Sequence, residues 1–319
     1  MTTKTQIKKN HNNRLHSLLL WFDTYQTGSH SHQQHEIKSI DWARALPFIG
    51  IHLACLLIFL VGWSPIAIAM ASLLYVIRMF AITAFYHRYF SHKTFKTSRI
   101  MQFLFAVIGA TAVQRGALWW AAHHRLHHAT ADKDTDQHSP KRHGFLWSHM
   151  GWFLSRGNFV TKHECIKDFS KYPELRFLDR FDILVPIMFS LVLYMLGYLL
   201  EIYGPELGTN GLQLLVWGFV ISTVVLYHAT FTINSLAHLI GKKVFPVKDD
   251  SRNNFCLALI TMGEGWHNNH HYYPGSARQG FLWWEIDITY YGLKLLEKVG
   301  LIWDLRPVPD RVLKNRNRI

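Results

Sequence analysis

Histidine is the residue through which this chain can do chemistry. The 319-residue sequence holds 21 histidines, and nine of them gather into four short sets. His87 and His92 stand in HRYFSH, His124, His127 and His128 in HRLHH, His238 in NSLAH, and His267, His270 and His271 in HNNHH. On an α-helix, positions i, i+3 and i+4 share a face. Each His-x-x-His-His set is therefore expected to present three imidazoles in one direction. Asn234 and His238 are four apart and share a face too. His87 and His92 are five apart, about 140° around an ideal helix, and converge only if the helix ends or tightens between them. Neutral imidazole is a ligand for zinc, copper, iron and nickel. Nine histidines are too many for one ion, because a structural zinc takes four ligands and prefers cysteine among them. Two metals with four or five nitrogens each is the simplest fit. Zinc has no redox chemistry, whereas two irons beside an apolar cavity could activate oxygen.

The elements that must hold these sets are written as apolar runs. Residues 47–63, 183–200 and 211–233 contain no charged side chain, and 66–86 contain one, Arg78. A bilayer core takes about 20 apolar residues per helix, so each run is long enough to span. Four such runs would demand an oversized core in a soluble protein of this length. The chain is 49% apolar and 17% charged, which also excludes a disordered or collagen-like chain. Net charge is +13, and the 34 Lys and Arg are unevenly placed: 6 in residues 1–46, 15 in 86–180 and 12 in 233–319. The loops Ser64–Pro65 and Glu201–Asn210 carry none. Positive residues mark the cytoplasmic side. Both termini and the middle segment are thus expected in the cytoplasm, with two helical hairpins dipping into the bilayer. Attraction to anionic head groups follows, and nucleic acid is not the expected partner.

The expected fold is an all-α integral membrane protein. A polar segment, 1–46, precedes a single domain, 47–319. Four transmembrane helices in two hairpins (47–63, 66–86, 183–200, 211–233) carry a helical cytoplasmic cap made of 87–180 and 234–319. The cap holds the histidine-rich di-metal site, and every histidine set falls where a span meets it. A surface helix around Asn12–Tyr25 and an interfacial helix over Ile100–Leu118 are expected. Phe281–Leu301 is amphipathic, and its Trp283, Trp284, Tyr290 and Tyr291 suit a head-group boundary. No strand pattern of useful length appears. Cys55, Cys165 and Cys256 are odd in number with no paired spacing, which argues against disulfides. HSHQQH near the N-terminus reads as a polar tail or a weak metal tract. Arg78 lies about 13 Å into the bilayer at 1.5 Å per residue, where a charge needs a reason. A structural contact with a helix carbonyl or polar neighbour is the favoured one.

HRYFSH, HRLHH, NSLAH and HNNHH, in this order around two hairpins, resemble the histidine boxes of membrane fatty acyl desaturases. The likeness is to the delta-9 acyl-CoA (stearoyl-CoA type) branch and covers about residues 45–305. It implies a di-iron enzyme that uses O2 and two electrons to make a cis double bond. The implied metal ligands are His87, His92, His124, His127, His128, His238, His267, His270 and His271, with Asn234 reaching a metal through water. Zinc would be able to replace iron in purified protein. Gln114 and Trp120 match positions at the bend of the acyl tunnel, and Trp119 and Trp266 are either further tunnel residues or interfacial packing. Asp132 and Asp136 either orient ligand histidines through the distal ring nitrogen or are loop acids and helix caps, and Glu264 is open in the same way. His123 stands where that branch often has an acid, and it lies off the 124/127/128 face as a non-ligand. Arg156 matches a basic position contacting CoA phosphates, but its partner position is Gly157, with Lys141, Arg142 and Lys162 as stand-ins. The carrier is CoA by preference, with acyl carrier protein or intact lipid as alternatives. No His-Pro-Gly-Gly haem motif is fused to the chain. Electrons would come from a separate ferredoxin, or a b-type cytochrome with its reductase, steered by the basic face. Two rival classes are a membrane di-iron hydroxylase of acyl chains or alkanes and a metal transporter or sensor. A transporter would place ligands near the bilayer midplane, not at the rim. His127→Ala or His270→Ala should abolish desaturation in isolated membranes while leaving the amount of membrane-inserted protein unchanged on an immunoblot.

Overall fold

The computed structural model describes Leu19, residues 21–25 and residues 39–316. The HSHQQH tract and most of Asn12–Tyr25 lie outside the described residues. Four helices are long and apolar enough to cross a membrane. In chain order, α1 (Trp42–Val61) and α2 (Pro65–Ser91) come first, then α3 (Arg99–Ala110), α4 (Ala117–Thr130) and α5 (Pro173–Arg180). The other two membrane-length helices follow as α6 (Leu184–Tyr203) and α7 (Gly211–His238). After them come α8 (Phe255–Ile260), α9 (His267–Tyr272), α10 (Ile288–Lys298) and a last short helical turn, Asp310–Leu313. Among the described residues the only ladder joins β1 (Lys96–Thr97) to β2 (Ile302–Trp303), antiparallel, with Lys96 opposite Trp303. All three cysteines are free.

Local chemistry sets the helix ends. The Ser64 hydroxyl accepts from Ala67 N at 3.1 Å, and Pro65 takes the first helical position, where a missing N–H is harmless. Asn210 caps α7 by accepting from Gln213 N at 2.9 Å. α1 begins five residues earlier than the apolar run suggests, and so contains Pro47. A proline inside a helix leaves the carbonyl four residues back without its donor. That carbonyl belongs to Ala43, and the Trp21 indole donates to it at 2.8 Å.

Helix α7 is central and α1 peripheral: 56% of the apolar window of α7 is buried against 6% for α1. α7 packs on α2, and its first turns pack on α6. The α6–α7 approach is close enough that a Cβ on Gly197 would lie 2.4 Å from Asn210 O. Small residues allow backbones to meet in this way inside a membrane. The core is an aromatic cluster around the end of α2, with Phe85 stacked on Phe105 at 3.9 Å between ring centres.

The expected continuous helix over Ile100–Leu118 is instead two helices. α3 ends at Ala110 and α4 starts at Ala117, and Val113 and Arg115 take left-handed backbone angles of φ 60° and 69° between them. The polar side chains explain the break. Gln114 Nε2 donates to Thr230 Oγ1 at 2.8 Å, and Arg115 pairs with Asp182. A straight helix would point neither at its partner. Arg78 is 1% exposed. It donates to Leu74 O and Thr111 O, each at 3.2 Å, to Thr223 Oγ1 at 2.7 Å, and to Ser222 Oγ. Gly197→Val should wedge α6 away from α7 at a cost of about 2 kcal/mol, read as a lowered melting temperature of the detergent-solubilised protein by fluorescence-detected gel filtration.

Candidate metal centre

Four elements bring the nine box histidines together: the end of α2, α4, the end of α7, and α9. Their ring nitrogens form two groups. Five residues (His87, His92, His124, His128, His270) have ligand atoms all within 4.8 Å of one another, and so do four others (His127, His238, His267, His271). The Nε2 atoms face each other closely: His87–His270 and His124–His128 at 3.0 Å, His92–His124 and His128–His270 at 2.9 Å, and His238–His267 at 3.0 Å.

One expectation about direction is corrected. The three histidines of a His-x-x-His-His set do not serve one centre. α4 sends His124 and His128 to the five-membered group and His127 to the other, while α9 sends His270 to the first and His267 and His271 to the second. The cause is the 100° step of the helix: i and i+4 sit about 40° apart, whereas i+3 falls about 60° to the other side of i. His87 and His92 converge as expected. The helix ends between them, at Ser91 with His92 as its C-cap, and it widens before it ends. Ala81–Ser91 is π-helical, where the hydrogen-bonded repeat is five residues, and His92 N donates to His87 O at 3.3 Å. The five-residue spacing is thereby a same-side spacing, with ring centres 5.0 Å apart.

Buried and half-buried carboxylates hold the outer nitrogen of four rings. Asp136 Oδ1 lies 3.2 Å from His127 Nδ1, Asp132 Oδ2 3.0 Å from His238 Nδ1, and Asp249 Oδ2 3.0 Å from His271 Nδ1. Glu264 takes Nδ1 of His87. Burial pushes the Asp132, Asp136 and Asp249 carboxyls up, but their histidine partners outweigh it and hold all three well below the usual carboxylate range. An ionised carboxylate only accepts, so each of these four Nδ1 atoms faces an acceptor and each ring turns its Nε2 inward. Burial, then the neighbouring imidazoles, pushes His124, His128, His267 and His270 far below the ordinary histidine range. These rings are neutral at pH 7, the form that binds metal.

The donor set fits two transition-metal ions. Facing lone pairs at 3.0 Å repel unless a cation sits between them, and two nitrogens at right angles on bonds of about 2.1 Å stand about 3.0 Å apart. His271 Nε2 is buried without a hydrogen-bond partner although Nδ1 is taken. It points the same way. His123 belongs to neither group: it is 3% exposed and contacts Gln137 Oε1 at 2.8 Å and Val160 O at 3.3 Å.

A cavity of about 290 Å³ runs beside these nitrogens, and His87, His124, His127, His267 and Asn234 form part of its wall. Gln114, Trp119 and Trp120 also line it. The Trp120 indole donates to Gln114 Oε1 at 3.4 Å, and that of Trp119 to Asn158 O at 2.9 Å. Three other candidates stand off the wall. Trp266 donates to Ile286 O at 2.8 Å, Arg156 N donates to Ser39 O at 3.0 Å, and Lys162 sits half-buried, where desolvation lowers its ammonium pKa. Lys141 pairs with Asp250 and Arg142 with Asp134, both at 3.0 Å.

Sequence spacing missed two components. Asp249 lies 22 residues from His271, with no pattern linking them. Arg88, inside the first box, is buried; it bonds Asp287 at 2.9 and 3.1 Å and Glu264 at 3.1 Å, which steadies the partner of His87. Asp249→Asn should cost about tenfold or more in metal affinity, the usual effect of losing a carboxylate behind a ligand histidine. The check is metal content of purified protein by mass spectrometry after graded chelator washes, with helical circular dichroism unchanged.

Comparison with known proteins bears on this geometry. Residues 62–294 match the family described as "Fatty acid desaturase". A palmitoyl-monogalactosyldiacylglycerol delta-7 desaturase of Arabidopsis thaliana is 36% identical over 289 residues, covering 89% of this chain and 73% of that protein. An acyl-CoA 5-desaturase of Anemone leveillei is 36% identical over 271 residues, 84% of this chain and 79% of its own. An sn-2 palmitoyl-lipid 9-desaturase of Nostoc sp. (strain 36) is 36% identical over 266 residues, 82% and 88% of the two chains. With box histidines converging on two centres beside an apolar cavity, and with relatives of this kind along most of its length, the chain belongs to the fatty acid desaturase family.

Proposed function

We propose that this protein inserts a cis double bond, at the delta-9 position, into a saturated acyl chain, with the CoA thioester as the favoured carrier. The single observation that carries the proposal is the pair of histidine groups opening on an apolar cavity. In this reading His87, His92, His124, His128 and His270 hold one iron, and His127, His238, His267 and His271 hold the other, with Asn234 completing a site through water. Iron bound there would supply the redox chemistry with O2 that breaking two unactivated C–H bonds requires.

The remaining work falls to side chains of this chain. Asp132, Asp136, Asp249 and Glu264 orient the rings through Nδ1 and turn each Nε2 toward the metal position. Trp119 and Trp120 give the acyl chain an apolar wall and keep water from the reacting carbons. The Gln114–Thr230 hydrogen bond, 2.8 Å long, fixes Gln114 on the wall that His124 also lines, and a chain held bent there would favour a cis product. Overall, two hydrogens leave adjacent carbons, O2 is reduced to two waters, and a separate donor protein adds two electrons while two protons come from solvent.

The topology proposed with this function has both termini in the cytoplasm. A polar segment, 1–46, leads into one desaturase domain, 47–319, with two membrane hairpins and a cytoplasmic cap made of 87–180 and 234–319. Its support is the clustering of Lys and Arg outside the spans. A ferredoxin or b-type cytochrome with an acidic face would dock on that basic side.

Expression in a host lacking its own desaturase tests the function. Gas chromatography of total fatty acids should show a new cis-9 monounsaturated acid of at least several times the background. An alcohol in place of the alkene would convert the assignment to a hydroxylase. Separate analysis of the acyl-CoA and lipid pools at short induction times should show the product first in the CoA pool.

A further inference from the structure

We propose that Arg78 is a positioning residue for regiochemistry: by anchoring the turn at residues 111–116 to α2 and α7, it sets which carbon of the acyl chain is presented to the metal centre. The proposal rests on the desaturase reading above and deepens it.

Arg78 is a cation in an apolar helix, 1% exposed. Its donors reach only neutral oxygens: Leu74 O, Thr111 O, Ser222 Oγ and Thr223 Oγ1. A buried charge in a membrane is costly, and an apolar side chain would fill the same space without that cost. What an apolar side chain would not do is grip three elements at once. Arg78 stands on α2, Ser222 and Thr223 on α7, and Thr111 opens the turn between α3 and α4.

That turn needs an anchor. Val113 and Arg115 both hold left-handed backbone angles, and a β-branched residue there is a strong outlier. Besides the Arg78–Thr111 bond and the Arg115–Asp182 pair, three contacts tie it down. Tyr227 OH donates to Val113 O at 2.6 Å, Tyr86 OH donates to Arg115 O at 3.4 Å, and Gln114 bonds Thr230 at 2.8 Å. The turn in turn shapes the cavity: Val113, Gln114 and Arg115 all lie on its wall. α4 starts at Ala117 and carries His124 and His127. The position of the turn therefore fixes where the wall formed by Val113, Gln114 and Arg115 stands relative to the ring nitrogens. A slide of the turn by one carbon–carbon spacing would bring the neighbouring methylene to the reacting position.

The test compares wild type with Arg78→Met, Arg78→Gln and Tyr227→Phe in a host lacking its own desaturase. Membrane accumulation is followed by immunoblot, and double-bond positions are read by mass spectrometry of dimethyl disulfide adducts. The expected result is one dominant positional isomer from wild type. In Arg78→Met the share of neighbouring isomers should rise roughly tenfold, since misplacement by about 1 Å can cost two orders of magnitude in rate at the proper carbon. Arg78→Gln, which keeps a donor for Thr111 O, should shift less, and Tyr227→Phe should shift in the same direction. A purely structural role would lower the amount of product and leave the isomer ratio alone. An unchanged ratio in an Arg78 variant that accumulates overturns the proposal. So does an unchanged ratio in Tyr227→Phe if no Arg78 variant accumulates. If wild type itself makes no double bond, the underlying reading falls, and this one with it.

Discussion

Imidazole nitrogens that meet at 2.9–3.0 Å are the constraint on which this structure turns. At that spacing two ring nitrogens either share a proton or both turn lone pairs on a cation, and the second needs the outer nitrogens to be held. Buried and half-buried carboxylates do the holding for His87, His127, His238 and His271. Their negative charge also offsets part of what two cations would bring into a dry interior. The backbone departures of the fold serve the same convergence. A π-helix brings His92 round to His87, and a broken helix swings α4 inward.

The carboxylates are themselves anchored. Arg88 is buried with Glu264 and Asp287, and its guanidinium also donates to Ala277 O at 2.7 Å. Breaking such a group from one side typically costs about 3–5 kcal/mol. There is no slack around it: a Cβ on Gly263 would stand 2.4 Å from Asp287 Oδ1. Asparagines do similar service for α9, which at six residues is far too short to be stable alone. Asn268 Oδ1 accepts from Val244 N and Phe245 N, both at 2.8 Å, and Asn269 Nδ2 donates to Gln279 O and Glu285 Oε2, both at 2.9 Å. The two asparagines of HNNHH fasten the helix while its histidines face the centre.

The four membrane-length helices were legible because bilayer thickness imposes a length and a composition that any chain must meet. The ligand sets were legible because metal coordination confines residue type and local spacing. The split of each His-x-x-His-His set between two centres was not, since a shared face says nothing about how many targets it addresses. The π-helical end of α2 depends on packing among Phe85, Phe105 and their neighbours, which no local pattern encodes. Asp132 and Asp136 follow the second box closely and could be nominated from the sequence. Asp249 could not, because its link to His271 exists only in three dimensions. The break at 111–116 was signalled by Gln114 and Arg115, two polar residues in an apolar run, but its angle was fixed by Thr230 and Asp182 far along the chain.

Because α4 and α9 each feed both nitrogen groups, the two centres share a chassis. A slight roll of either helix about its axis would carry one ring toward its centre as it drew two away from the other, like a seesaw with ions at its ends. Neither centre can be tuned in isolation by moving a helix. Any event that tightens one must be felt at its neighbour through backbone alone, with no atom needed between them.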